Sequence, residues 1–416
     1  MVRTITLVAF LVSSALLPTA FAEVGVSKVL TSVQQNVHVA DWEYSYKVPG
    51  AGVVHIVKST LHGGKQEGVD VITVGNGKMM IILVPTRGMS LLSVTMADVR
   101  LGWDSPVREV VHPRFIRLHD RGGLGWLDGF NEWLVRCGLE FAGHPGRDKF
   151  KDNTGADATR QLTLHGKIAN IPASEVIVTV DPEPPHRIRV RGRVDERSFY
   201  GAQLELWTEV STLPGSSTFR VDDVLTNHGA EKQEFELIYH CNYGPPLLEK
   251  GAQLRIPVRK LMPMNATAAD AIDHYATIAA PTPGMTEQVF LIEPLPDTKD
   301  KVTVLLENAA GNRGSTIRFS VGQLPYLTIW KNEASKRAGY VTGIEPGTCF
   351  PFNRRVERHF GRLPTLEAGR SRKFSIEYSI LENKGEVDRV AAAIQNIQEG
   401  WKPEIVREVP DTTALD

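Results

Sequence analysis

Apolar and polar residues alternate with period two through most of this chain, and turn signals rather than linkers interrupt the pattern. Successive side chains of a strand point to opposite faces, so such segments fold as strands with one face buried. Val69-Asp70-Val71-Ile72-Thr73-Val74 leads into Gly75-Asn76-Gly77-Lys78 and then a second apolar run to Val84. Asn-Gly between apolar strands predicts a type I′ hairpin, in which both turn residues take positive φ. A second hairpin joins the run 176–180 to 188–191 through Asp181-Pro182-Glu183-Pro184-Pro185. Further strands are predicted over 204–210, 219–224, 235–240, 302–307, 316–321, 326–331 and 374–381. Helical periodicity occurs once, at Val387, Val390, Ala391, Ile394 and Ile397, with Gly400 and Pro403 beyond it. That spacing predicts one amphipathic C-terminal helix packed on the outside of a sheet. With no repeat and no Gly/Ser linker, residues 23–416 read as a single large all-β sandwich domain.

Composition narrows the partners. The chain is 42% hydrophobic and 23% charged, which excludes disorder, collagen and coiled coil. Lys plus Arg number 47 against 48 Asp plus Glu. Without a basic surplus to neutralise phosphates, nucleic acid is excluded as a partner. Residues 1–22 read as a signal peptide: Arg3, an apolar run over 5–17, then Ala20-Phe21-Ala22 before Glu23. The run is too short to span a bilayer. The expected protein is therefore secreted or periplasmic, with no stable membrane insertion after cleavage. Cys137, Cys241 and Cys349 form no metal or disulfide spacing and are expected as three buried thiols.

Between residues 108 and 147 the alternation stops. This stretch carries Gly122-Gly123-Leu124-Gly125-Trp126-Leu127-Asp128-Gly129 and Trp133, and long Gly- and Trp-rich connections in β proteins are often functional. Trp126 and Trp133 are candidates for stacking on a pyranose face. The GxSxG, HExxH, GxGxxG and P-loop signatures are absent. Three short segments remain. Leu164-His165-Gly166 puts a histidine before a residue that allows close approach. Tyr239-His240-Cys241-Asn242-Tyr243 ends an apolar strand, with Asn242 on the same face as His240. Gly343-Ile344-Glu345-Pro346-Gly347 places a carboxylate at an apolar strand end, where it must be paired or working. Two imidazoles and one carboxylate suit proton transfer at both ends of a bond.

With Pro85-Thr86-Arg87-Gly88-Met89 and 124–130, these segments run in an order that resembles the aldose 1-epimerase family proteins of the galactose mutarotase-like superfamily. The resemblance implies a β-supersandwich with few short helices, acting on a small-molecule carbohydrate without cofactor or metal. It implies that Glu345 takes the proton from the anomeric hydroxyl while His240 protonates the ring oxygen. His165 would bind a ring hydroxyl or orient the acid. Arg87, Asn242, Lys331 and Trp126 are the candidate sugar contacts, and Asp128 stands in for the family's substrate-binding aspartate. The competent pair would hold an ionised Glu345 and a protonated His240, titrating together. Two other classes fit the same residues. One is a lyase or isomerase of an oxidised sugar, with Arg87 and Lys331 stabilising an enolate or carboxylate. The other is a non-catalytic carbohydrate-binding protein that relies on Trp126 and Trp133.

Overall fold

The computed structural model describes residues 23–412; the proposed signal peptide lies outside the described residues. Two large sheets, one of ten strands and one of thirteen, pack against each other. The middle of the larger sheet runs Gln288–Pro294, Tyr326–Asn332, Val341–Gly347, Glu236–Tyr243, Leu134–Leu139 and Ser90–Met96, all paired antiparallel. Ser371–Leu381, Thr218–Asn227, Gln203–Thr212 and Ile188–Arg197 lie side by side in the smaller one. The architecture is the expected all-β sandwich.

Alternation explains how one strand serves two environments. In Glu236–Tyr243, the odd residues Leu237, Tyr239, Cys241 and Tyr243 enter the core between the sheets with Phe219 and Tyr378. The even residue Ile238 joins a separate cluster on the opposite face with Trp126, Val135 and Cys137. All eight residues of this strand are buried. Period-two patterning is faint in such a strand because neither face meets water. The same holds for Leu134–Leu139, buried at every position. That strand falls inside the stretch where alternation stops, so the expectation of an uninterrupted loop over 108–147 is corrected. Short turns occupy Pro113–Phe115 and Gly125–Gly129 before the chain re-enters the sheet.

The hairpins over 69–84 and 176–191 form, but the first is not type I′. Gly77 takes φ 92° while Asn76 is not among the positive-φ residues. Asn76 instead accepts backbone N–H groups of Lys78 and Met79 at 3.0 and 2.8 Å, so its side chain closes the turn. The C-terminal helix is Lys384–Gln398, capped by Asn383, with Val387 and Ile394 buried on Leu305 and Leu381. The three cysteines are free and buried. Among the described residues, no helix is long and apolar enough to cross a membrane.

One buried ion pair ties the two sheets together beneath the histidine strand. Arg136 Nε and Nη2 donate to Asp223 Oδ2 and Oδ1 at 2.5 and 3.0 Å, and Tyr239 Oη donates to the same carboxylate at 2.8 Å. Arg136 belongs to the larger sheet and Asp223 to the smaller. Despite the cost of burial, the Asp223 carboxylate beside it holds the guanidinium above its ordinary pKa. Removing one partner of such a pair strands the other charge in the core. Asp223→Ala is expected to lose about 3–5 kcal/mol of stability, measured by urea denaturation.

Candidate active site

Glu345 and His240 meet because two central strands pair in a specific register. Cys241 lies opposite Ile344 and Ile238 opposite Gly347, which sets His240 across from Glu345. Pro346 has no N–H to give the ladder, so the pairing loosens at this point. His240 Nε2 and Glu345 Oε1 approach to 3.2 Å. The approach is not aligned as a hydrogen bond, and Glu345 Oε1 and His240 Nδ1 have no other partner. Both residues are almost wholly buried. Glu345 is interior to the strand Val341–Gly347 rather than at its end.

Gly343 makes the room. A Cβ there would lie 2.4 Å from Glu345 Oε1 and 3.1 Å from His240 Cε1. The backbone at this position is ordinary, so the requirement is space. His165 arrives from a different direction, on a turn with φ 57°, followed by Gly166 at φ 72°. A Cβ on Gly166 would collide with the carbonyl oxygens of Phe141 and Gly138 at 2.1 and 2.2 Å. The close approach expected of this His-Gly pair is therefore a backbone approach. His165 Nδ1 bonds the Ala142 carbonyl at 2.9 Å. A carbonyl only accepts, so Nδ1 carries the hydrogen and Nε2 is left as an acceptor. The His165 and His240 rings lie 5.4 Å apart, edge to face, and Trp126 sits 4.7 Å from His165.

These residues line one cavity of about 300 Å³. Trp126, Phe130, Trp330, Leu124, Leu127 and Val289 supply its apolar surface, while Glu345, His240, His165, His144, Glu287 and Thr328 supply polar groups. A small, largely apolar cavity with a few convergent polar groups is the usual form of a small-molecule site. Among the described residues, no group of three or more His, Cys, Asp or Glu is placed to hold a metal ion.

Burial shifts the titrating groups toward their neutral forms. It pushes the Glu345 carboxyl well above its ordinary pKa, with help from the nearby Glu287. Burial, with a smaller contribution from His165, drives the His240 imidazole well below its own. Burial likewise lowers His165 from 6.5 to about 4. Burial thus favours a neutral carboxyl and a neutral imidazole, whereas the competent pair expected from the sequence holds an ionised Glu345 and a protonated His240.

The other predicted contacts lie elsewhere. Arg87 is fully buried, donating from Nε to Glu132 Oε1 at 2.9 Å and from Nη2 to the Gly129 carbonyl at 3.1 Å. It holds the cavity's loop in place and does not face the cavity. Asn242 shares the His240 face, as expected, but its amide donates to the Glu132 carbonyl at 3.0 Å beneath that loop. Lys331 lies on the wrong face of its strand, donating to the Thr277 carbonyl at 2.7 Å and pairing with Glu333 at 3.4 Å. Its neighbour Trp330 faces the cavity instead, because Thr328 and Trp330 stand opposite Glu345 and Gly343. Trp133 is in the intersheet core against Phe219 and Tyr378, so it is no stacking surface. Asp128 pairs with Arg121 at 2.5 Å on the surface. Sequence reasoning missed Trp330, Phe130, Thr328, His144 and Glu287. Period two within 326–331 links Trp330 to Thr328, but no local signal marks Glu287, whose carboxylate accepts from Trp330 Nε1 at 2.8 Å.

Residues 66–380 match the family model described as Domain of unknown function (DUF4432). The chain belongs to this family. A protein of Klebsiella pneumoniae subsp. pneumoniae MGH 78578, provisionally named an aldose 1-epimerase, resembles it in structure with a TM-score of 0.87. The two are 39% identical over 93% of this chain and 100% of the other. The fold is shared by a galactose mutarotase-like protein of Clostridium acetobutylicum (15% identity, 79% of this chain, 98% of that one, TM-score 0.55). It is shared too by the galactose 1-epimerase of Lactobacillus acidophilus NCFM (13%, 79%, 99%, TM-score 0.50). No curated protein gives a significant match. This DUF4432 chain thus shares the galactose mutarotase-like fold that its motifs implied.

The depressed His165 has a measurable consequence. The unfolded chain binds a proton on this residue at about pH 6.5, whereas the folded protein resists until about pH 4. Stability therefore falls as the pH drops through that window, by about 3 kcal/mol in all at roughly 1.4 kcal/mol per unit. His165→Gln is expected to flatten this acid loss, as read from urea unfolding at pH 7 and near pH 4.

Proposed function

We propose that this DUF4432 chain is an aldose 1-epimerase that interconverts the anomers of a small, uncharged sugar, and that it works outside the cytoplasm, secreted or periplasmic. The observation that carries this reading is the buried Glu345–His240 pair, 3.2 Å apart with its facing oxygen unpartnered, on the wall of a cavity of monosaccharide scale. Anomer exchange requires a base for the O1 proton and an acid for the ring oxygen at the same moment. Glu345 removes the O1 proton and His240 donates to the ring oxygen. The C1–ring oxygen bond breaks, the C1–C2 bond rotates, and reclosure returns both protons.

Desolvation assists each transfer. A carboxylate whose pKa is raised by burial is a stronger base, and an imidazolium whose pKa is lowered is a stronger acid. The neutral forms that burial favours are those the pair holds while the sugar is open. Polar contacts from the bound ring, with O1–H donating to Glu345 and the ring oxygen accepting from His240, favour the charged forms in the cyclic complex. His165 Nε2, fixed as an acceptor, receives a ring hydroxyl. Trp126, Phe130 and Trp330 cover the apolar face of the pyranose.

The alternative of lyase chemistry on an oxidised sugar depended on Arg87 and Lys331. Both lie outside the cavity, and among the described residues no Lys or Arg lines it. A carboxylate on the substrate would meet two glutamates, Glu345 and Glu287, with no guanidinium or ammonium of the described residues to offset them. A purely binding role does not account for a desolvated acid–base pair at the centre of the wall, a costly arrangement for stacking alone.

The test is two-dimensional exchange NMR of α and β anomers across neutral aldoses, amino sugars and uronic acids. Exchange with an uncharged aldose should exceed the spontaneous rate and fall by about 100- to 10,000-fold in Glu345→Gln and in His240→Gln. Acceleration that survives Glu345→Gln, or that appears only with uronic acids, would defeat the proposal. Activity should require one proton on the pair. The acid limb, where His240 and Glu345 are both protonated, is therefore expected to be displaced below the ordinary imidazole pKa, because burial lowers His240. The alkaline limb, where the last proton leaves, is expected to be displaced above the ordinary carboxylate pKa, because burial raises Glu345.

A further inference from the structure

The segment 139–143 links two buried carboxylates to the site, and neither has a role in the chemistry proposed above. Glu196 accepts the backbone N–H groups of Leu139 and Glu140 at 2.8 and 3.2 Å. Glu236 Oε2 accepts the N–H of Ala142 at 2.7 Å. The carbonyl of that same residue, Ala142, takes the Nδ1 hydrogen of His165 at 2.9 Å. The next carbonyl, Gly143, accepts the backbone N–H of His165 at 3.0 Å. A buried irregular segment must find partners for its main-chain groups, and here the partners form a chain from Glu236 through Ala142 to the His165 ring. Glu236 lies on the strand that carries His240, four residues earlier and on the same face. It is wholly buried, and its Oε1 has no partner.

We propose that Glu236 is a positioning residue: by fixing the Ala142 peptide, it holds the His165 ring in one orientation and in the Nδ1–H tautomer, with Nε2 presented to a sugar hydroxyl. This rests on the reading of His165 as a sugar contact, but the placement of its ring can be measured apart from any activity. Glu236 is held neutral by burial, with a pKa of about 8. Arg354 opposes that shift, while Glu357 and Asp148 add to it, and the Cys349 thiol lies within its electrostatic reach. When Glu236 ionises, its oxygen becomes a stronger acceptor for the Ala142 N–H. Hydrogen-bond chains polarise cooperatively, so the change passes to the bond between the Ala142 carbonyl and His165.

The experiment uses the full-length protein with ¹⁵N-labelled histidine, the His165 signals being assigned by their loss in His165→Gln. In the wild type, the His165 ring nitrogens should show the Nδ1–H pattern and shift with a midpoint near pH 8. In Glu236→Gln, a neutral isostere that keeps an acceptor oxygen, the pattern should persist and the shift near pH 8 should vanish. A wild-type ring with mixed tautomers, no response near pH 8, or a response that survives in Glu236→Gln would overturn the proposal. Anomer exchange in the same samples is scored separately: its absence with the His165 response intact counts against the epimerase reading and leaves the positioning role standing. Should Glu236→Gln not fold, Cys349→Ser tests the origin of the shift. A midpoint near pH 8 that persists in that variant supports Glu236, and one that disappears assigns the response to the thiol and overturns the proposal.

Discussion

The Arg136–Asp223 pair, with Tyr239 bonded to the same carboxylate, is the contact on which the remaining geometry depends. It joins the two sheets beneath the strand that carries His240. Tyr239 points inward to Asp223, so its neighbour His240 must point the other way. The inner face of the strand is thus set by a charged, directional contact, and the outer face inherits its register. A purely apolar interface tolerates more sliding than a bidentate guanidinium–carboxylate contact does, because the latter loses two charge-assisted hydrogen bonds on displacement.

The outer face would be an ordinary solvated sheet surface if the segment 103–133 did not cover it. Arg87 and Asn242 both hold that segment, through the Gly129 and Glu132 carbonyls and the Glu132 carboxylate. Trp126 and Phe130 are then laid over His165 and His240. That cover buries one side of the acid–base pair, and burial shifts Glu345 and His240 in opposite directions. Arg87 and Asn242, which seemed suited to hold sugar, instead hold the cover over the cavity. Glycines at 343 and 166 leave the space into which the carboxylate and the backbone fit.

Legibility varied with the type of signal. Strands with one wet face, such as Ile188–Arg197 and Gln203–Thr212, were evident from alternation. Leu134–Leu139 was not, because burial on both faces erases the period. Motif order brought out His165, His240 and Glu345, and the structure brings these three together. Arg87 and Lys331 were misplaced because a charge in a motif carries no information about which face it occupies. Trp330 and Glu287 come into the cavity through pairings with distant strands, and no local pattern records those.

By itself the sequence determined the class of fold, the C-terminal helix and the chemical types available to the site, since periodicity and residue chemistry are local properties. Only the tertiary structure decided which polar groups would be dry. Burial depends on what lies across a strand and above it, and the proton positions on Glu345 and His240 follow from that burial rather than from their identities. Cross-strand register put these two residues 3.2 Å apart although the chain separates them widely, and a cover anchored by buried polar contacts turned that proximity into a desolvated acid–base pair.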